Sequence, residues 1–182
     1  MKVIFLDVDG VLHPLGNNHL PLKAKKEDIF ERCELDLKHG EEEGYVLLPI
    51  DGEFCMENMV QLKRIVDKTS ACVVLSSTWR ETDYGTNAVK YQLNLYKIGG
   101  DNIIVGKTSI LGIGTQNRAK EICKYLKDHH NEIESYICFD DAELKGWDNN
   151  IFNEKNFIRC DKSIGITKEQ ADHAIELLNI IR

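Results

Sequence analysis

The run Val3-Ile4-Phe5-Leu6-Asp7-Val8-Asp9-Gly10-Val11-Leu12 constrains this chain more than any other stretch. Five of the six residues from Val3 to Val8 are apolar, the composition of a strand buried on both faces of a parallel sheet. Two carboxylates two residues apart at the end of such a strand are costly, because unpaired charge is rarely kept in a core. If the chain stays extended, the period of two aims Asp7 and Asp9 to the same side. Gly10 then offers a turn with no side chain in the way. A bound divalent cation and a phosphate explain the pair best, at the sheet edge where open α/β folds place their ligands. The plainer alternatives are an acidic turn or a piece of a calcium loop. The calcium loop fails, since Val11 stands at its fifth position and Asn18 at its twelfth, where a bidentate Glu is needed.

The rest of the chain alternates strands and helices. Ala71-Cys72-Val73-Val74-Leu75 reads as a second buried strand, ending in Ser76-Ser77-Thr78-Trp79-Arg80. Ser135-Tyr136-Ile137-Cys138-Phe139 reads as a third, ending in Asp140-Asp141. Shorter strands are expected over Asn102–Val105 and Asn156–Arg159. Helical spacing covers 57–66 (Met59, Val60, Leu62, Ile65, Val66), 86–97, and Arg118–His129 (Ala119, Ile122, Cys123, Leu126). Thr167-Lys168-Glu169-Gln170 is a capping box and opens a last helix with Ala171, Ala174, Ile175, Leu178 and Ile181 on one face. This order predicts an α/β, Rossmann-like parallel sheet flanked by helices.

One domain over residues 1–182 is expected, with 13–48 as a small flap or cap insertion. Within it, 13–18 is turn-rich and Leu20–Lys23 irregular, and Ile29–Leu35 has some helical spacing. Glu41-Glu42-Glu43 reads as a solvated turn and Tyr45–Ile50 as a short strand.

Composition narrows the function classes. Hydrophobic residues make up 42% and charged residues 29%, as in a soluble globular protein, and no apolar run reaches bilayer length. The net charge of −7 counts against broad nucleic-acid binding. The N-terminus runs into two acids instead of a cleavage site, so a cytoplasmic protein is expected, with signal-independent export left open. The six cysteines have no pair closer than fifteen residues, which excludes Cys-x-x-Cys chemistry and favours reduced thiols. The six histidines show no ligand spacing.

Three buried strands thus end in polar groups, Asp7 and Asp9, Ser76-Ser77-Thr78, and Asp140-Asp141, with Arg118 opening the helix before the third. In a right-handed parallel fold these ends share one edge. Carboxylates there suit Mg²⁺, which takes oxygen ligands, while hydroxyls and Arg suit phosphate oxygens.

This order resembles the haloacid dehalogenase (HAD) superfamily, whose phosphatase branch carries Asp at the position of Asp9. Val73–Arg80, Gly106-Lys107-Thr108, Arg118–Ile122 and Ser163–Thr167 resemble an HAD subgroup with a Ser-x-Trp-Arg motif, found in "Swiss Army Knife" RNA-repair proteins. Residues 13–44 are outside the resemblance. It implies a phosphatase that transfers the phosphoryl group to Asp7 and then to water, with Asp9 as general acid and base. Mg²⁺ would be held by Asp7, the main-chain carbonyl of Asp9, and Asp140 or Asp141. Ser76 or Ser77 would bind the phosphate together with Arg118, for which Lys107 and Lys120 compete. Many superfamily members carry a further acid where this chain has Leu144 and Lys145.

Trp79 is expected as a core residue beside a surface Arg80, or else Arg80 lines the substrate entrance. The substrate would be a phosphorylated small molecule or phosphoprotein. Alternatives are a protein (phosphotyrosine) phosphatase, a nucleic-acid end-processing phosphatase, and a non-catalytic phosphate-binding module.

Overall fold

Val3, Ile4, Phe5 and Leu6 are fully buried in the first strand, β1 (Lys2–Leu6). Alternate side chains go to opposite faces, so Ile4 and Leu6 enter one apolar cluster and Val3 and Phe5 a second. Each fully buried side chain of this kind contributes about 1.5–3 kcal/mol. A strand apolar on both faces needs cover on both, and the rest of the chain supplies it.

The computed structural model describes residues 1–15, 23–25, 41–42, 45–47, 54–100, 102–112, 115–144, 148 and 151–180. Three short strands follow β1: β2 (Lys23–Lys25), β3 (Glu41–Glu42) and β4 (Tyr45–Leu47), antiparallel in the order β2-β4-β3. The main sheet adds β5 (Cys72–Leu75), β6 (Ile104–Lys107), β7 (Ser135–Asp140) and β8 (Phe157–Arg159). Its order is β6-β5-β1-β7-β8 and every pairing is parallel. The expected α/β class therefore holds. Helices α1 (Met56–Thr69), α2 (Asp83–Leu95) and α4 (Lys168–Asn179) contribute buried residues to the Ile4 and Leu6 cluster. Helix α3 (Thr115–Asp128) covers the Val3 and Phe5 face through Ala119 and Ile122.

The capping box is formed, with Thr167 and Gln170 each satisfying the other's backbone amide. Several boundaries differ from expectation. Helix α2 starts at Asp83, ahead of the predicted 86, because the Thr82 hydroxyl accepts from the Gly85 amide and caps it. Strand β6 lies two residues later than predicted. Glu41 and Glu42 are strand and not turn, paired with Val46 and Tyr45; the ladder is made by backbone groups, and charge on a short edge strand is well tolerated. Lys23 likewise opens a strand, opposite Leu47. The readings for Ile29–Leu35, residues 48–50 and Ile181 lie outside the described residues.

Cys55, Cys72, Cys123, Cys138 and Cys160 are free thiols. Among the described residues no helix is long and apolar enough to cross a membrane.

Candidate active site

From β1, the sheet grows first through β5 and β6 on one side, then through β7 and β8 on the other. The reversal lies between β1 and β7, and the carboxyl ends of strands at such a reversal form a crevice. Asp7 and Asp140 occupy it. The Asp7 amide donates to the Phe139 carbonyl at 3.1 Å, extending the β1–β7 ladder one step past the strand. Asp7 has the parity of Val3 and Phe5, and Asp140 that of Cys138, all residues of the α3 face. Both carboxylates thus meet Arg118, in the first turns of α3. Arg118 Nη1 lies 2.6 Å from Asp7 Oδ2, and 3.0 and 2.9 Å from Asp140 Oδ1 and Oδ2.

Electrostatics follow from this burial. Asp7 and Asp140 are 2% and 1% exposed. Desolvation raises the pKa of Asp7, outweighing Arg118 and the Ser77 hydroxyl and Val8 amide, which lower it. Asp140 is pushed up to about 7 by burial and by the Asp7 charge, against the pull of Arg118. For Arg118, burial works against the charge, but Asp140 and then Asp7 outweigh it and hold the guanidinium firmly protonated.

Asp141 completes the cluster. Carboxylate oxygens of Asp7, Asp140 and Asp141 all lie within 4.8 Å of one another. Gly10, at φ +71°, makes room for this: a Cβ there would stand 2.7 Å from both Cβ and Cγ of Asp141. A left-handed backbone in contact with a carboxylate admits glycine and little else.

Asp9 reaches the site by another route. The chain does not stay extended past Asp7: the amides of Val11, Leu12 and His13 all donate to the Val8 carbonyl at 2.8–3.1 Å, curling the loop over itself. The Asp9 carboxylate is held there by the Trp79 indole, 3.2 and 3.1 Å from its two oxygens, and by His13 Nδ1, 3.1 Å from Oδ1. Asp7, Asp9, Arg118 and Asp141 line one cleft of about 490 Å³, with Thr78 and Glu81 among the residues of its wall.

The Ser76–Arg80 segment turns on the buried side of this cleft. Ser77 caps a 3₁₀ turn (Thr78–Glu81) by accepting from the Trp79 amide at 3.4 Å, and its hydroxyl is a partner of Asp7. Ser76 is equally buried, with its amide on the Leu6 carbonyl and its own carbonyl on Arg80.

Arg80 is not a surface residue: it is buried and is among the residues lining the cleft. Its guanidinium donates to the carbonyls of Ser76, Ser77, Thr108 and Ser109 and to Glu121. Trp79 is half-buried and packs against the margin of the core, edge-on to Phe54 at 5.4 Å, while its N–H serves Asp9. Lys107 points its amine to Thr86 and the Arg80 carbonyl, at 3.3 and 3.5 Å, and is not among the residues lining the cleft. Lys120 is exposed. Leu144 is core, packed with Phe152 and Phe157, and Lys145 and Trp147 lie outside the described residues.

The sequence reading missed the ties from Trp79 and His13 to Asp9, and the buried pair of Arg80 with Glu121. Glu121 sits three residues after Arg118, on the same face of α3, but nothing local pairs it with Arg80.

A parallel sheet of this order, with carboxylates from two strand ends at its reversal and an arginine across them, defines a Rossmann-like α/β fold with an acidic site at its strand ends. The chain belongs to the family described as "HAD domain in Swiss Army Knife RNA repair proteins", which matches residues 3–171. No curated protein matches it. The family supports phosphatase or hydrolase chemistry in general.

HAD domains commonly use a metal ion, and the residues here fit one. Three carboxylates converge, and Asp7 Oδ1 is buried with no hydrogen-bond partner among the described residues. A buried carboxylate oxygen without a donor is costly, and a hard cation with oxygen ligands would relieve it.

Proposed function

We propose that this chain is a Mg²⁺-dependent phosphomonoesterase working through an aspartyl-phosphate on Asp7. An oxygen of the Asp7 carboxylate attacks phosphorus, and the bond from phosphorus to the leaving oxygen breaks. Asp9 donates a proton to that oxygen, so the product leaves as an alcohol. Water then attacks the aspartyl-phosphate and gives its proton to Asp9, and the bond from phosphorus to Asp7 breaks to release inorganic phosphate. Arg118 and the Ser77 hydroxyl stabilise charge on the transferring group.

Asp7, Asp140 and Asp141, with the main-chain carbonyl of Asp9, would hold Mg²⁺. When bound, it offsets the repulsion between the anionic nucleophile and the phosphate. The observation that carries this reading is the convergence of Asp7, Asp140 and Asp141 under the cleft that Asp9 also lines. Residues 13–48, which contain β2, β3 and β4, would act as the flap on a single domain, leaving the cleft open to large phosphorylated substrates.

The test is hydrolysis of p-nitrophenyl phosphate with Mg²⁺, with EDTA, and by Asp7→Asn. Activity that needs both the metal and Asp7 supports the reading. Inactivity of the folded, Mg²⁺-loaded protein on this substrate, on phosphopeptides and on phosphorylated oligonucleotides would leave a phosphate-binding role in its place.

A second reading, removal of phosphate from nucleic-acid ends, is favoured by the family's description. The net charge of −7 weighs against it. Faster turnover of 3′-phosphorylated oligonucleotides than of small phosphates would decide for it.

A further inference from the structure

The chemistry above uses Asp9 but does not say what aims it. Asp9 sits on a curled loop with a side chain 37% exposed, a setting in which a carboxylate samples several rotamers. Here it is fixed by two rings. Trp79 Nε1 donates to both of its oxygens, and His13 Nδ1 stands beside Oδ1. Trp79 is itself held from three directions. Its ring meets Phe54 edge-on at 5.4 Å and 77°, its amide donates to Ser77, and the next residue is the buried Arg80.

We propose that Trp79, seconded by His13, is the positioning residue for the acid–base step, holding the Asp9 carboxyl where it delivers its proton to the leaving oxygen. This inference rests on the reading of Asp9 as acid and base. The indole can only donate, so it orients the carboxyl without competing for the proton. Among the described residues Oδ1 faces both rings and Oδ2 the indole alone, which makes Oδ2 the freer oxygen to carry the proton. Trp79 is not among the residues lining the cleft, so it acts through Asp9 and not on substrate. When the phosphorus–oxygen bond breaks, its electron pair stays on the leaving oxygen and takes the proton from Oδ2.

Leaving-group basicity separates this role from a structural one. p-Nitrophenolate departs with little help from an acid, whereas an alkoxide of similar size, from p-nitrobenzyl phosphate, needs the proton. The quantity to measure is kcat/KM, which covers the steps up to leaving-group departure. Asp9→Asn is expected to lose about 10²–10³-fold more on the benzyl than on the phenyl ester, within the range of general acid catalysis. Trp79→Phe keeps a ring against Phe54 and removes the donor. It should lose about tenfold more on the benzyl ester, with no further substrate-dependent loss in the Asp9→Asn background.

Equal losses on both esters, or a selective loss that persists without Asp9, would overturn the proposal. If Asp9→Asn itself shows no selectivity, the acid role falls and the proposal with it, a result distinct from selectivity in Asp9→Asn but none in Trp79→Phe. A readout independent of the folding of Trp79→Phe comes from the indole N–H resonances of the two tryptophans. Asp9→Ala should move one of them in the NMR spectrum, and two unmoved resonances would also overturn the proposal.

Discussion

Arg80 and Glu121 meet in the interior, Nη2 to Oε2 at 2.5 Å, with side chains only 4% and 2% exposed. Burial lowers the Arg80 pKa and Glu121 counters it. The pair joins three elements that frame the cleft. Arg80 holds the carbonyls after β5 and β6, and Glu121 Oε1 accepts from the Leu111 amide at 2.7 Å. Because Glu121 lies one helical turn past Arg118 on α3, the same tie sets the start of that helix against the Ser77 turn.

Removing one member strands a buried charge, which costs about 3–5 kcal/mol in comparable pairs. Glu121→Ala is expected to lose that much in urea denaturation, and Glu121→Gln clearly less, since the amide oxygen can still accept from Leu111. A Glu121→Ala variant within about 1 kcal/mol of the parent, the usual worth of a surface pair, would show that the clamp is unimportant.

Gly10 and Gly100 offer a controlled comparison. Both have positive φ, +71° and +74°, but a Cβ at Gly10 meets Asp141 while one at Gly100 meets nothing within 4 Å. Alanine at either site carries the left-handed penalty of about 1–2 kcal/mol. Only Gly10→Ala also displaces a carboxylate of the cluster. Both variants should therefore lose stability to denaturant, Gly10→Ala the more, while Gly10→Ala alone loses the greater part of its turnover. Equal activity in the two would detach Asp141 from the site.

Much of the fold was legible because its signals are local. Apolar runs of four to six residues and helical spacing are properties of short windows, and parallel topology then brings strand ends such as Asp7 and Asp140 together. What was illegible depends on long-range closure. Asp9 and Trp79 are 70 residues apart, and their contact exists only because the loop after Asp7 curls onto the Val8 carbonyl. Arg80 and Glu121, 41 apart, look like ordinary surface charges until β5 and α3 are packed. The start of α2 was misjudged for a smaller reason, the Thr82 cap, whose side chain competes locally with the apolar pattern.

The carboxylate cluster predicts its own metal response. Mg²⁺ at about 100 times its dissociation constant should stabilise the protein by about 2.7 kcal/mol, read as a rise in Tm. Asp140→Asn and Asp141→Asn should each reduce that rise without unfolding the protein, since each removes a charge from a crowded set. The rise should also shrink on acidification. Asp140 is pushed up to about 7, so below that pH a proton occupies a ligand that must be ionised to bind. In the metal-free protein the sign is opposite, because a raised carboxylate pKa costs stability above it and the cost is relieved as pH falls. A Mg²⁺ effect that is unchanged between pH 8 and 5.5, or that survives both substitutions, would place the cation elsewhere.

Arg118 separates binding of phosphate from upkeep of the cluster. Its Nη1 bridges Asp7 and Asp140, yet the side chain remains 18% exposed and lines the cleft, so both roles are open to it. If it stabilises charge on the transferring phosphoryl group, Arg118→Met should lower kcat by about 10²–10³-fold, the cost of deleting one well-placed donor. Arg118→Lys should recover part of that, since lysine keeps the charge but not the planar fork. The Mg²⁺-induced rise in Tm should survive in Arg118→Met, because a cation attracts the two carboxylates more readily once a competing positive charge is gone. Loss of the metal response together with turnover would instead mean that Arg118 serves chiefly to hold Asp7 and Asp140 in register.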